Sequence, residues 1–361
     1  MHHMHHRVAA ATLALLTLVA CSDQPTATTS PLLGADDVSF AIDDSRVAAF
    51  TITPLLPLPG KLNSEGFDNE VAGRVAGVSY VVDPMIDGRP TVWFGAAALD
   101  YGVPAPATAG VAYAVNAAGI AAGVLSSPAG VRGFWGPPGG LNVLSGPPGT
   151  TRLEARDVNV ANVVVGGVQG PAGIRHAFRY TVAGGYVDLH PAGVWVESHA
   201  EAINAGGTVV GWASLPNGDR HLARWTPAGV FNDLGLLVGT TYSEGQDINV
   251  GGAIGGVAGG PVATLPFLYR NATGFQSNPT NNTAIQGVSD LLRLTGYTTP
   301  GPVRRAWTKF GAGPAAILPL PGGFNSSEGN AVNVCGSIAG SVRNSVTGLT
   351  RAVAWVNNPC D

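Results

Sequence analysis

The sequence predicts an all-β fold, a seven-bladed β-propeller of four-stranded antiparallel blades, from two repeated signals that run in step. The first is Asn-x-x-Gly-x-(apolar)-x-Gly or a close relative. It occurs at Glu70–Gly77, Asn116–Gly123, Asn159–Gly166, Asn204–Gly211, Asn249–Gly256, Ser289–Gly296 and Asn333–Gly340. The closing Gly is present in every copy and the opening Asn in five. The second signal is an Arg ahead of a short apolar run ending near an aromatic. Arg46, Arg89, Arg132, Arg175, Arg220, Arg304 and Arg351 precede Phe50, Trp93, Trp135, Tyr180, Trp225, Trp307 and Trp355. The arginines follow one another at 43, 43, 43, 45, 84 and 47 residues, and the gap of 84 holds a divergent copy led by Leu265-Pro-Phe-Leu-Tyr269. A period of about 43 residues lies in the range of propeller blades.

Along the chain, residues 1–20 read as a bacterial lipoprotein signal peptide. Arg7 and a run of His form a polar start, and Val8 to Val19 is an apolar stretch too short to span a bilayer comfortably. Leu18-Val-Ala-Cys21 matches the lipobox, which makes Cys21 the lipidated first residue of the mature chain. Ser22 in place of Asp after that Cys favours the outer membrane, as in the lipoproteins it resembles. Residues 21–45 hold Pro, Thr, Ser, Ala and acidic residues without periodicity and read as a flexible tether. Membrane contact is thus expected through an acyl anchor alone.

Residues 46–361 form the repeat domain. In the fourth copy of the Arg-led unit, His176-Ala-Phe-Arg-Tyr180, Gly185-Tyr-Val-Asp-Leu189, Glu201-Ala-Ile-Asn204 and Thr208-Val-Val-Gly-Trp212 read as four short strands bounded by Gly, Pro and Asn. No stretch of the mature chain has sustained helical periodicity. The Asn suits the first position of a tight turn, and the Gly after it accepts the left-handed backbone that closes the hairpin. The closing Gly falls within the next strand, where a missing side chain admits another backbone. These residues are read as shaping the fold. Seven hairpins stand against eight Arg-led strands, the extra one at Arg351-Ala-Val-Ala-Trp-Val356, so one blade is expected to combine strands from both termini. The pattern leaves open whether Val47–Thr51 or Ala352–Val356 takes the shared place.

With Cys21 lipidated, Cys335 and Cys360 remain as a pair in an oxidising compartment. Cys335 lies in the last Asn-x-x-Gly turn and Cys360 follows the final strand. In an up-and-down blade these lie on the same side, so a disulfide is expected to staple the closing blade. The net charge of −4 and the absence of a basic run argue against nucleic acid.

The unit Arg175-His176-Ala177-Phe178 … Val187-Asp188-Leu189 … Ala202-Ile203-Asn204-x-x-Gly207-x-Val209-Val210-Gly211 resembles the HAF repeat of probable extracellular bacterial proteins. Asn232-Asp233-Leu234-Gly235 matches the Asp-Leu-Gly segment of that family. The resemblance runs from Arg46 to the C-terminus. It implies a secreted or surface propeller-like domain and no established reaction.

Candidate ligand residues come from overlaying the copies. The chain has seven Glu, and Glu65, Glu154, Glu244 and Glu328 share one position, five residues before the turn's Asn position; His199 holds it in one copy. An acidic ring at one mouth of the channel would suit a divalent cation such as calcium, or a cationic or polyhydroxylated ligand. Trp195, Glu197 and Glu201, with His176, His190, His199 and His221, mark a second candidate pocket on the fourth blade, for a metal or a sugar, where an exposed Trp would be a platform for a sugar ring. No hydrolase, zinc, phosphate-loop or dinucleotide motif is present, so no catalytic residue is assigned. The expected role is a monomeric binding or scaffolding module on the bacterial envelope, facing a surface protein or polysaccharide. The alternatives are a polysaccharide-degrading hydrolase or lyase with a site on the fourth blade, and a purely structural envelope component.

Overall fold

A computed structural model describes residues 42–47, 49–260, 263–277, 282–310 and 314–357. The signal segment, Cys21, most of the tether and Cys360 lie outside them. The described chain is all-β, with one single-turn helix, Pro84–Asp87, capped by Asp83. The building unit is a run of four antiparallel strands. In the first repeat these are Asn63–Asn69, Arg74–Tyr80, Arg89–Phe94 and Ala97–Asp100, paired in that order. The two eight-stranded sheets each hold two such runs, joined through a single parallel pair, Arg152 with Val131 and Arg220 with Tyr242.

The first strands of successive runs are Asn63–Asn69, Ala109–Val115, Arg152–Val158, Glu197–Ile203, Tyr242–Ile248, Thr283–Val288 and Ser326–Val332. Each packs on the next, and Ser326–Val332 returns to Asn63–Asn69. Asn330 and Asn69 secure this return by donating to Gly66 O at 2.7 Å and Ser337 O at 2.8 Å. Both terminal segments contribute to closure. Thr51–Leu55 pairs antiparallel with Thr350–Val356 as the outer strand of the last run. The question left open by the Arg-led strands is thus answered: the C-terminal strand is third in the run and the N-terminal strand fourth. Ile42–Val47 adds a fifth strand, parallel to Ala315–Ile317.

The hydrophobic core lies between neighbouring sheets. Ala76 and Val92 of the first repeat meet Ala121 and Phe134 of the second. Val210 and Leu222 meet Ile248 and Phe267, and across the closure Ala339 and Ala352 meet Val75 and Trp93. Three of the repeated aromatics are fasteners between units. Trp93, Trp225 and Trp355 are fully buried, and each indole N–H donates to the segment leading in from the preceding run: Leu56 O at 2.7 Å, Leu189 O at 2.7 Å and Pro319 O at 2.8 Å.

The Asn of each turn has two jobs. Its Oδ1 accepts from its own turn, as in Asn204 with Thr208 N at 3.0 Å. Its Nδ2 reaches the next repeat: Asn116 donates to Asn159 O, Asn159 to Asn204 O, Asn204 to Asn249 O, Asn249 to Ser289 O and Asn333 to Glu70 O, all between 2.9 and 3.1 Å. The two copies lacking Asn have Arg four residues on. Arg74 Nη1 donates to Ala117 O at 2.9 Å and Arg293 Nη1 to Gly336 O at 3.0 Å, so the links close on themselves.

The closing Gly of the motif has an equally direct cause. Each first strand carries a β-bulge, for example between Ala200 and Ala202, which turns one carbonyl toward the second strand. A Cβ on Gly166 would lie 1.9 Å from Glu154 O, and one on Gly211 2.0 Å from His199 O.

Gly211→Ala is expected to cost about 3 kcal/mol in urea unfolding, as forced overpacking does, whereas Gly170→Ala, with nothing within 4 Å of the added carbon, should be near neutral. Asn204→Asp keeps the turn acceptor and removes the inter-repeat donor. A loss of about 1–3 kcal/mol is expected in the same measurement, because a buried carboxyl oxygen then faces Asn249 O, which keeps Gly252 N as its donor.

Candidate functional site

The ring has two ends. At one lie the Asn turns; at the other the first strands begin with the Glu position and the third strands with the Arg. The overlay expected the Glu side chains to form one acidic ring, but the structure distributes them. Glu244 accepts from Arg220 at 2.8 Å and Glu328 from Arg304 at 2.7 Å, each Arg leading the third strand of the preceding repeat. Glu154 is paired with Arg152 on its own strand. In two copies the Arg and Glu signals therefore meet as ion pairs, and exposed pairs of this kind contribute little stability. Among the described residues no group of three or more His, Cys, Asp or Glu is placed to hold a metal ion, so the calcium expectation finds no such cluster.

Glu65 and Glu328 share a cavity of about 750 Å³ at the junction of the last and first repeats, lined also by Tyr80, Asp83, Arg304 and Arg343. Tyr80 donates to Glu65 Oε1 at 2.5 Å. Burial raises the Glu65 carboxyl above its ordinary value, with the Glu328 charge adding to the effect. Arg304 lies over the Tyr297 ring at 4.1 Å. The cavity thus presents a carboxyl biased toward protonation, a second carboxyl held by the Arg304 guanidinium, a phenol and the exposed Arg343.

His199 is 2% exposed and sits between Trp212, stacked at 5.9 Å, and Gly167, where a Cβ would come within 2.2 Å of the imidazole. Its Nδ1 meets Glu201 Oε1 at 2.9 Å and its Nε2 lies 3.8 Å from Glu154 Oε2. Glu201 also accepts from Arg156 Nε at 3.1 Å. Burial alone would raise both carboxyls, but His199 and Arg152 hold Glu154 at about 2, and His199 and Arg156 hold Glu201 at about 2. Burial would lower His199; the Glu201 charge and hydrogen bond, with the nearby Glu154 carboxylate, outweigh it and raise its pKa. This network fastens the third repeat to the fourth and leaves no open ligand position on the imidazole Nδ1.

The second expected pocket does not form around an exposed platform. Trp195 is half-buried, edge-on to His221 at 5.4 Å and to Phe231 at 5.1 Å, and packs against the core cluster of Ala200 and Trp225. Glu197 accepts from Arg175 N at 3.4 Å. His176 stacks on His190 at 4.0 Å and pairs with Asp188, while His221 pairs with Asp233.

Strand polarity places a third set of residues in the central channel, a cavity of about 270 Å³ lined by every first strand. Its wall includes Tyr113, Arg156, Glu201, Asp68, Asp157 and Asp247. Each Asp accepts from the adjoining first strand: Asp68 from Val115 N at 3.0 Å, Asp157 from Ile203 N at 2.7 Å and Asp247 from Val288 N at 2.7 Å. Enclosure by protein raises all three carboxyls; Asp157 adds to the rise at Asp68 and Asp247, and Asp247 reaches about 7.

No protein-family model matches the chain, and no curated protein matches it. Solved structures do. Virginiamycin B lyase from Staphylococcus aureus superposes with a TM-score of 0.53 at 11% identity, over 85% of this chain and 100% of that one. YCF48 bound to D1 peptide gives 0.52 at 9% identity, over 89% and 100%. A prolyl endopeptidase gives 0.53 at 11% identity, over 83% of this chain and 51% of that one.

The fold is a β-propeller. Its channel residues escaped the sequence overlay because the bulge reverses the facing of every first strand after the Glu position. Gly66 and Asp68 flank such a register shift, and Phe67 and Asp68 both line the channel. The available signal was Asp three residues after Glu in three copies, Asp68, Asp157 and Asp247.

Because the channel carboxyls bind protons more tightly in the folded propeller than in the open chain, their contribution is fully present below about pH 4 and is lost as pH rises through about 7. Asp247→Asn is expected to flatten that part of the fall in melting temperature between pH 4 and 7, read in a pH series of thermal melts. An unchanged slope would contradict the raised pKa.

Proposed function

We propose that this chain is a lipid-anchored, seven-bladed β-propeller of the HAF-repeat type, acting on the bacterial envelope as a binding module for a surface protein or polysaccharide. The cavity at the junction of the last and first repeats carries the reading. It is where two of the repeated Glu share one concavity with Tyr80, Arg304 and Arg343. Such a mixture of hydroxyl, carboxyl and guanidinium groups suits the hydroxyls of a polysaccharide or the polar face of a peptide. The count of seven blades is supported by the succession of first strands and by the side-chain links that return from Asn333 to Glu70. The lipobox at Leu18-Val-Ala-Cys21 supports the anchor and an outer-membrane or cell-surface location.

Thermal melts of the mature chain against bacterial polysaccharides and surface-protein peptides test the site. A ligand-induced rise in melting temperature is expected to vanish in Tyr80→Phe with Glu328→Gln and to survive in Trp195→Ala. Survival of the rise in the double variant would remove the cavity from consideration, and no rise with any ligand would favour the structural-component reading. One observation favours the hydrolase-or-lyase alternative at this same cavity: it brings together two carboxyls in unlike settings, Glu65 beside the Tyr80 phenol and Glu328 on the Arg304 guanidinium.

Closure by a Cys335–Cys360 disulfide is part of the same proposal. Cys335 is buried in the turn between Val332 and Ile338, and Cys360 lies outside the described residues. Peptide mapping without reductant should yield the linked pair, and reduction should lower stability by about 3 kcal/mol. Two free thiols would refute it.

A further inference from the structure

The two ends of the propeller differ in chemistry, and the route of the N-terminal segment gives that difference a direction. Ile42–Val47 runs parallel to Ala315–Ile317 and pairs Ile42 with Ala315. The neighbouring strand, Arg305–Lys309, pairs Lys309 with Leu294, just after the Ser289 turn. Ile42 therefore enters the domain at the Asn-turn end, and the chain bearing Cys21 is delivered to that end.

The same end exposes apolar side chains at its tips. Val71, Val160, Val250 and Leu291 crown the Asn turns, with Phe94 and Phe310 at the ends of third strands; each is between 48% and 60% exposed. Arg74 lies over Phe94 at 5.5 Å and Arg293 over Phe310 at 5.1 Å. Arg179, Arg224 and Arg270 stand at the same ends of their strands. The carboxylates of these turns are Glu70, paired with Arg74 at 3.3 Å, and Asp290, which accepts from Val250 N at 2.7 Å. The channel aspartates lie close by but face inward and are occupied by backbone N–H groups. The repeated Glu and the cavity at the last-to-first junction belong to the opposite end.

Apolar tips interspersed with guanidinium groups match the boundary of a bilayer, where apolar groups enter the acyl margin and arginines meet phosphate headgroups. We propose that the Asn-turn end docks against an anionic lipid surface, an inference that rests on the lipid-anchor reading. The 21 residues from Cys21 to Ala41 can reach no further than about 70 Å even fully extended, so an acyl anchor on Cys21 keeps this face within reach of the lipid and makes weak docking effective. The opposite end, with the Glu65–Glu328 cavity, then points away from the membrane toward its ligand.

Lipidated mature chain in phosphatidylethanolamine–phosphatidylglycerol vesicles with brominated acyl chains provides the test. An environment-sensitive dye is placed through Val160→Cys on the Asn-turn end, or through Val346→Cys in the opposite loops. The docked arrangement is expected to give a blue shift and bromine quenching at position 160 and neither at position 346. Adding the charge change Val71→Asp with Val250→Asp should abolish the quenching at 160 while the protein still floats with the vesicles. Flotation without quenching at 160, or equal quenching at both positions, overturns the docking and leaves the anchor standing. Failure to float overturns both.

Discussion

A side-chain amide that serves two turns at once is the constraint on which the rest of this propeller depends. Asn at the head of each hairpin spends its oxygen on its own turn and its nitrogen on the carbonyl of the next repeat. No other short polar side chain has an acceptor and a donor so placed. Each buried bond contributes about 1 kcal/mol net, but the larger consequence is geometric. A link from every repeat to the next fixes the angle between sheets, and the hydrophobic clusters between sheets fill the wedge that angle leaves. Where Asn is missing, at Glu70 and Ser289, Arg74 and Arg293 span the longer distance to the neighbouring turn. The exposed Phe94 and Phe310 beside them give these longer side chains a surface to lie on.

The second constraint is the bulge in each first strand. It presses a carbonyl against the closing Gly of the motif and turns the following residues into the channel. Asp68, Asp157 and Asp247 exploit that turn to hold the adjoining strand, at the cost of placing three carboxyls in one enclosed space. Their raised proton affinity follows from the crowding. At the other end the charges are arranged with opposite logic: Arg220 with Glu244 and Arg304 with Glu328 neutralise one another in water across neighbouring repeats. The closure between last and first repeats lacks such a pair, because Glu65 has Tyr80 as its partner. That departure opens the cavity.

Much of the fold was legible in the residues. The Asn and Gly periodicity predicts the hairpins, the Arg and aromatic periodicity predicts the third strands, and the surplus strand Arg351–Val356 predicts closure by both termini, as Thr51–Leu55 beside Thr350–Val356 shows. The candidate site was less legible. The shared Glu position was visible, yet whether its members converge depends on strand length, bulge placement and ring radius, none of which a repeat position encodes. Trp195 illustrates the same limit: its neighbours His221 and Phe231 come from later strands, and they convert an expected platform into packing.

By itself the sequence determined the repeat, its phase and the turn chemistry, because these rest on contacts within a few residues or on one spacing copied along the chain. Tertiary structure alone decided that Asn reaches across repeats, that Phe67 and Asp68 face the channel, and that Glu65 and Glu328 meet in one cavity. Residues 263 positions apart in the chain meet there only because the ring closes, and ring closure is a property of all the sheet angles together.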